Sequence, residues 1–197
     1  MNNRVSKDQY YLGVAESVLQ RSTCLRRKYG AVIVKNDEVI STGYNGSPRG
    51  CPNCNELGIC FRDYLNVEQG GDYRMCWSTH AEMNAIISAS RSEMIGSTIY
   101  IVGWDVKKQE YADSNPCLLC SRLIVNSGIS RCVGYEKTII DADGSVYWTP
   151  YDIDVDSKTF IKKQIELYRK TLGYDVCVID SIKEYFNECY KVIEENT

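Results

Sequence analysis

Histidine is scarce in this sequence, where His80 is the only one among 197 residues. At most one imidazole can bind a metal, so any metal site must take its other ligands from cysteine or carboxylate side chains. A basic excess is also missing, because 23 Lys and Arg stand against 26 Asp and Glu. The net charge of −3 argues against non-specific binding to duplex nucleic acid, although it leaves room for a small anionic substrate.

Long apolar runs are absent as well. No stretch approaches the length of a membrane span, and the start, MNNRVSKDQYY, lacks the apolar run of a signal peptide. We therefore expect a cytoplasmic protein without a membrane partner. Apolar residues make up 44% and charged residues 25%, and 197 residues suit one core better than two.

Cysteine, in contrast, is abundant, with ten residues. In a reducing compartment this count favours metal binding over a disulfide framework. The spacings agree with metal binding, since the sequence contains Cys51-x-x-Cys54, then Cys60 and Cys76, and later a Cys117-x-x-Cys120 pair.

Hydrophobic periodicity predicts a core in the order α-β-β-α-β-α-β. Alternating strands and helices in its second half favour crossovers within a three-layer α/β domain. The predicted elements are a helix from Lys7 to about Arg21, a hairpin turning at Asn36-Asp37, a helix from His80 to about Ser90 capped by Ser78 or Thr79, a strand at 98–102, a helix with Pro116 in its first turn that ends before Gly128, and a strand at 129–135.

The remaining residues, 137–197, are predicted to be a C-terminal elaboration of the same single domain. Its first part is acidic and rich in aromatic and turn residues. The pattern then predicts a helix at 158–172, a strand at 175–179 and a helix at 182–193.

Two fragments carry the chemistry, His80-Ala81-Glu82 and Pro116-Cys117-Leu118-Leu119-Cys120. Thiolates three residues apart face the same way on a helix, and a helix N-terminus favours thiolate over thiol. With histidine as third ligand, one tetrahedral position is left for water, which is typical of catalytic zinc. Zinc lowers the pKa of bound water from 15.7 to about 7.

Glu82 is close to this metal site without being needed as a ligand. A carboxylate there can take the proton of the attacking water and pass protons to the ring nitrogen and the departing amine. H-x-E followed by P-C-x-x-C is the signature of zinc nucleobase deaminases. Each fragment alone has another interpretation, because C-x-x-C also occurs in structural zinc half-sites and redox pairs.

Three further runs resemble the deoxycytidylate (dCMP) deaminase family, within the zinc-dependent cytidine deaminase superfamily. They are Ser22-Thr-Cys-Leu-Arg-Arg-Lys-Tyr-Gly-Ala-Val-Ile-Val34, Thr42-Gly-Tyr-Asn-Gly-Ser-Pro-Arg-Gly50 and the continuation of the histidine helix as Met83-Asn-Ala-Ile86. The resemblance covers about residues 8–136. It implies a three-layer α-β-α cytidine deaminase-like fold with a central mixed sheet.

The resemblance also implies roles for the residues of the two fragments around His80 and Cys117. His80, Cys117 and Cys120 would bind the catalytic zinc, and Glu82 would be the proton shuttle. The implied reaction is hydrolysis of dCMP to dUMP and ammonia, which supplies dUMP for thymidylate synthesis. Family members usually form homo-oligomers, often hexamers, and many are activated by dCTP and inhibited by dTTP, although composition shows neither property here.

For the substrate, the resemblance places Asn45 against the sugar-phosphate part of the nucleotide. Arg26 is the candidate for the 5′-phosphate, because a guanidinium can make paired hydrogen bonds to it. Ala81 is a further substrate-binding candidate. A solvated helix-end charge is the other interpretation of Arg26.

Some relatives also carry a structural zinc. The resemblance implies that Cys24 and Cys54 are ligands of this second site. Cys60 and Cys76 lie in the same irregular segment and would complete the set, with Cys51 as a competitor for one position. A closed tetrahedral site would stabilise a loop that has little core of its own. Free buried thiols are the alternative, and Cys132 is expected in the core.

The sequence departs from the commonest family pattern at Gly103 to Ser114, which is predicted to be a longer insertion before the second zinc motif. Because such a loop could reshape the mouth of the site, the exact nucleotide stays open. The alternatives are a deaminase of another cytosine nucleotide, a deaminase of tRNA or single-stranded nucleic acid, and a non-enzymatic structural zinc-binding module.

Overall fold

A computed structural model describes residues 4–68, 73–139 and 146–156, together with Thr159 and Lys163. The chain separates into two compact units, Met1–Val155 and Asp156–Thr197, and all elements given below belong to the first. Apart from those two single positions, the helices and strand predicted beyond residue 157 lie outside the described residues. The organisation as one domain with a C-terminal elaboration therefore stays a prediction.

The described residues form six strands and six α-helices, with one 3₁₀ turn at Tyr73–Met75. The helices are α1 Lys7–Leu19, α2 Cys54–Leu57, α3 Phe61–Tyr64, α4 Ala81–Ile87, α5 Arg91–Met94 and α6 Leu118–Ser127. The strands are β1 Arg27–Lys35, β2 Glu38–Tyr44, β3 Thr98–Asp105, β4 Glu110–Ala112, β5 Arg131–Ile139 and β6 Val146–Ile153.

These strands make one mixed sheet in the order β2-β1-β3-β5-β6, and β4 pairs with the end of β3. β3 and β5 run parallel, whereas the other pairs are antiparallel. The parallel pair is connected by the crossover that contains α6, as the alternation of strands and helices predicted.

Two apolar clusters lie on opposite faces of the sheet, because successive strand residues point to opposite sides. On one face α1 packs through Leu12 and Ala15 against Val32 of β1. On the other face Ala85 of α4 and Ile124 of α6 pack against the alternate strand residues. The predicted three-layer α-β-α fold with a central mixed sheet is confirmed.

The hairpin between β1 and β2 confirms the turn predicted at Asn36 and Asp37. Both residues have positive φ, 52° and 65°, as a two-residue type I′ turn requires. Asparagine and aspartate tolerate this backbone conformation better than other residues with side chains.

Helix boundaries differ from the predicted ones at four places, one of which is the end of α4 at Ile87 rather than near Ser90. α1 ends at Leu19 rather than near Arg21. The N-cap of α4 is His80 itself, in an extended conformation, instead of Ser78 or Thr79. Pro116 precedes Cys117, which is the N-cap of α6, so the proline lies just outside the first turn.

The segment predicted to be an insertion is largely regular. β3 continues to Asp105 and turns into the short strand β4, so this segment is an edge hairpin of the sheet. β6 was not predicted, because Pro150 weakens the strand pattern. The proline is tolerated since, within the described ranges, β6 pairs only with β5 and ends the sheet on that side. No helix of the described residues has the length and apolar character needed to span a membrane.

Candidate active site

The structure brings His80, Cys117 and Cys120 together at the N-terminal ends of α4 and α6. Their ligand atoms lie within 4.8 Å of one another, and both sulfur atoms are 3.4 Å from Nδ1 of His80. A tetrahedral zinc with its usual bond lengths would separate a sulfur and a nitrogen ligand by about 3.5 Å. The three donors therefore fit zinc in type and in spacing.

The protonation of the two thiols supports a cation at this position. Hydrogen bonding from Cys120, and then from His80, lowers the pKa of Cys117 to about 4. The pKa of Cys120 is raised, first because it donates to Cys117 and also because it is buried. One negative charge is easily accommodated here, whereas a second thiolate needs a bound cation to offset the repulsion.

The imidazole responds to the same charges. Burial disfavours protonated His80, but the hydrogen bond with Cys117 and the charges of Cys117 and Glu82 outweigh it, so the pKa of His80 is raised. A divalent cation in place of the proton would satisfy the same negative groups.

Glu82 is 5% exposed in the first turn of α4. Burial raises the pKa of its carboxyl, and the charge of His80 partly opposes that rise. Cys120 lowers the pKa of this carboxyl, which indicates that the carboxyl lies beside the donor set. A buried carboxyl with a raised pKa is suited to both taking and giving a proton near neutral pH.

The position of α4 is fixed by its contact with β2. A methyl group added at Gly43 would collide with the backbone of Ala81 and Ala85, so the glycine permits this close approach. Ser41 donates a hydrogen bond to the carbonyl of Ala85 at 2.8 Å. The side-chain amide of Asn84 donates to the carbonyl of Tyr44 at 2.8 Å.

Asn45 is buried directly after β2 and connects this end of β2 to β1 and to the loop that precedes β1. Its Oδ1 accepts hydrogen bonds from the hydroxyl of Ser22 and from the amide of Tyr29 at 2.7 Å. Its Nδ2 donates to the carbonyl of Arg27 at 2.9 Å. One N–H of the amide is left for a ligand, since the NH₂ group carries two. Ala81, the other candidate, is fully buried at the start of α4.

Arg26 is half-buried, and its Nε lies 3.0 Å from a carboxylate oxygen of Asp63. Its Nη1 is buried and has no hydrogen-bond partner. The guanidinium therefore pairs with Asp63 through Nε, and its Nη1 is available as a donor.

The four cysteines of the expected second metal site are not assembled into a ligand cluster. Within the described ranges, only the His80 set brings three donors within ligand distance. Cys24, Cys54, Cys60 and Cys76 are all free thiols. The pKa of Cys24 is raised first by burial and also by the charges of Cys76 and Cys60, which indicates that these thiols lie near one another. Cys51 is exposed, and Cys132 is buried in the core as predicted.

Two tyrosines near the site were not predicted. The ring of Tyr73 meets the imidazole of His80 edge-on, with 4.9 Å between ring centres. Tyr29 donates to the carbonyl of Asp113 at 3.0 Å, and its ring packs on Gly103. Tyr73 belongs to no motif that could have marked it in the sequence, whereas Tyr29 lies in the family-like run from Ser22 to Val34 but was not singled out there.

One histidine and two cysteines can hold zinc and leave its fourth tetrahedral position open. Such a donor set, with an adjacent buried carboxyl, is typical of proteins with a catalytic zinc site. The comparison with known families agrees. The profile described as "Cytidine and deoxycytidylate deaminase zinc-binding region" matches residues 5–136. The chain belongs to this family of hydrolytic deaminases.

Two relatives illustrate the similarity. A deoxycytidylate deaminase of Mycobacterium phage D29 is 39% identical over 136 residues, which are 66% of this chain and 95% of the relative. A deoxycytidylate deaminase of Schizosaccharomyces pombe is 37% identical over 139 residues, which are 71% of this chain and 40% of the relative. The chain thus spans about two fifths of the yeast protein.

Among solved structures, a dCMP deaminase from cyanophage S-TIM5 in complex with dCMP and dUMP is 25% identical. The match has a TM-score of 0.44 and covers 66% of this chain and 82% of that chain.

Proposed function

We propose that this protein hydrolyses the exocyclic amine of dCMP to give dUMP and ammonia. The observation that carries the proposal is the buried carboxyl of Glu82 beside a donor set that fits zinc and leaves one tetrahedral position for water. The choice of dCMP is supported by the relatives named deoxycytidylate deaminase at 37–39% identity.

We assign the metal to His80 Nδ1 and the sulfur atoms of Cys117 and Cys120. When bound there, zinc supplies a Lewis acid that lowers the pKa of a coordinated water to about 7. The remaining chemistry belongs to the chain. Glu82 takes a proton from the attacking water and gives it to N3 of the cytosine ring, while a C–O bond forms at C4.

Glu82 also completes the reaction. The C4–N bond breaks after the carboxyl transfers the second proton of the water to the exocyclic nitrogen, so that ammonia leaves and the C4 carbonyl forms. The enclosed position of the carboxyl keeps it from exchanging protons freely with solvent. Its raised pKa brings it closer to the operating pH, where both directions of transfer are efficient.

Asn45 and Arg26 are proposed to bind the sugar and phosphate. Support comes from the second N–H of the Asn45 amide and from the unpartnered Nη1 of Arg26. Arg26 directly precedes β1, and Asn45 follows β2 and donates to the carbonyl of Arg27 in β1. Ala81 is proposed to contact the base through the start of α4, next to the ligand His80.

The test is ammonia release by zinc-loaded protein from dCMP, with deoxycytidine, CMP, dCTP and cytosine in parallel. Turnover of dCMP in preference to the others is the expected result. Preference for another member of the panel would keep the zinc mechanism and change the substrate. Turnover of single-stranded nucleic acid or tRNA alone would refute the mononucleotide assignment. If Glu82→Gln changed no measurable property of the protein, a structural zinc module would be indicated.

A second, structural zinc is proposed on Cys24, Cys54, Cys60 and Cys76. Its support is the mutual proximity of these thiols in a segment whose helices are only four residues long. Fully loaded protein should contain two zinc ions per chain. The Cys54→Ser variant should contain one and keep the catalytic metal, whereas one zinc per chain in the wild type would exclude the site.

We also propose a cytoplasmic homo-oligomer, with a hexamer as the family-based expectation, and regulation by dCTP and dTTP. Apolar side chains exposed on α4 and α6 support self-association: Ile87 is 73% exposed and Leu119 is 41% exposed. Light scattering should give a mass of at least twice the 22.4 kDa of one chain. Activity measured with and without each triphosphate tests the regulation.

A further inference from the structure

Arg62, in α3, has no role in the site described so far. Its guanidinium carbon lies 4.8 Å from the ring centre of Tyr73, the distance of a cation–π contact. Tyr73 in turn packs edge-on against His80. The arginine is therefore held on an aromatic platform that touches the proposed metal ligand.

The hydrogen-bonding groups of this guanidinium are incompletely used. Nη2 donates to the carbonyl of Glu68 at 2.6 Å, whereas Nε is buried without a partner. No carboxylate in the described part of the chain forms an ion pair with Arg62. A guanidinium has five N–H donors in a rigid fork, and buried ones without acceptors are costly. An anionic ligand would supply the missing acceptors.

The surroundings of Arg62 reinforce its positive charge. The adjacent carboxylate, Asp63, is engaged elsewhere, by Arg26 at 3.0 Å and by Lys107 at 3.8 Å. Two cations thus share Asp63, and Arg62 next to it has no carboxylate partner among the described residues. Such a local excess attracts a small dianion.

We infer that Arg62 binds the phosphate of the nucleotide substrate, and that Tyr73 is the positioning residue that holds its guanidinium. The inference rests on the proposed function. A pyrimidine nucleotide with its base at Glu82 carries its charge at the phosphate. Arg62 is a cation that packs on Tyr73 beside His80 and has one unpartnered donor, Nε. Arg26 pairs with Asp63, the residue that follows Arg62, and is therefore a second cation close to it. Arg62 therefore distinguishes a nucleotide from a nucleoside.

The test compares dCMP with deoxycytidine in Arg62→Ala. Loss of a charged hydrogen-bonding group should raise KM for dCMP by roughly tenfold to a hundredfold. The kcat for dCMP and the kcat/KM for deoxycytidine should change little, because neither the metal ligands nor Glu82 is touched. Arg62→Lys, which keeps the charge without the fork, should restore part of the affinity.

Tyr73 gives a second, independent measurement. Tyr73→Leu removes the platform and should raise KM for dCMP in the same way, whereas Tyr73→Phe keeps the ring and should not. Because the two residues act as a unit, adding Arg62→Ala to Tyr73→Leu should cause little further loss.

Arg91→Ala is the matched control. Its guanidinium also donates to a backbone carbonyl, that of Asn126 at 3.1 Å, but it lies in α5. This variant should leave KM for dCMP unchanged, which separates a specific contact from an effect of net charge.

Two results would overturn the inference: an unchanged KM for dCMP in Arg62→Ala and Arg62→Lys, or equal losses for dCMP and deoxycytidine. If the wild type releases ammonia from no member of the panel, the proposed function fails on its own. Calorimetry with dUMP and deoxyuridine then still tests the phosphate contact, because Arg62→Lys should weaken dUMP binding and leave deoxyuridine binding unchanged.

Discussion

Replacing Glu82 by glutamine tests the central step of the proposed mechanism. The two side chains have the same shape, so packing at the start of α4 is preserved. The amide cannot take a proton from water or pass one on. Since the native carboxyl is 5% exposed, solvent has little access to substitute for it.

The expected loss can be estimated from the number of transfers that Glu82 performs. A positioned general acid–base group contributes about 10²–10⁴-fold, and here one group serves both the addition of water and the departure of ammonia. We therefore expect kcat to fall by on the order of 10⁴-fold, which corresponds to about 5 kcal/mol of transition-state stabilisation. KM and zinc content should stay near the wild-type values.

The assay measures ammonia release and zinc content on the same samples. Glu93→Gln is the control, since Glu93 is also in the first turn of a helix but is exposed, where it accepts a hydrogen bond from the amide of Ser90. It should keep full activity. If Glu82→Gln retained a rate within roughly tenfold of the wild type, general acid–base catalysis by this carboxyl would be refuted.

The pH titration of Glu82 provides a further check on this residue. Burial raises the pKa of its carboxyl, and the ionised form is needed to take the first proton. In the metal-free protein this carboxyl should therefore titrate at a higher pH than an ordinary glutamate, and NMR of the labelled side chain measures it. A titration in the ordinary carboxylate range would contradict this assignment.

Three other predictions concern stability and metal. Gly43→Ala should destabilise the fold by about 1–3 kcal/mol and lower the zinc content, because the added methyl group pushes α4 away from β2. Gly13→Ala is the control and should change neither stability nor zinc content in this way, since no atom beyond its own helix lies within 4 Å of the added methyl group. Asp8→Asn should cost about 1 kcal/mol at pH 7 after allowance for solvent screening, because Arg131 is partly exposed. Hydrogen bonding from Arg131 lowers the pKa of Asp8 from 3.8, so this stabilisation is present above pH 3.8 and is lost as the pH falls through the folded-state pKa. Urea unfolding at pH 7 and in acid should show the wild-type advantage shrinking, and an advantage independent of pH would contradict it. Zinc should dissociate on acidification, because protons compete for its ligands, and metal content after dialysis measures this.

Periodicity predicted the layered fold well because its core is locally regular. β1 has five consecutive residues, Gly30 to Val34, that are buried because both faces of the sheet are covered. The turn at Asn36 and Asp37 could also be predicted, since few residues accept its backbone angles. The edge strands β4 and β6 were missed because a strand of three residues and one containing Pro150 give weak patterns.

The metal donors were predictable for a similar reason. Cys117 and Cys120 are three residues apart on one helix, and the chain has a single histidine, so the choice of ligands was small. The presence of Glu82 two residues from that histidine completed a recognisable local pattern. These assignments depend on spacing along the chain, which sequence displays directly.

The neighbours of the donor set could not be predicted, because they are brought together by folding. Tyr73 reaches His80 from an irregular segment, and Arg62 reaches Tyr73 from another short helix. The engagement of Arg26 by Asp63 likewise joins residues far apart in the chain. The sequence by itself determined the layers, the metal donors and the proton-transfer group, since each depends on local spacing and residue chemistry. Only the tertiary structure decided which cations face the site, because their surroundings depend on contacts between distant segments.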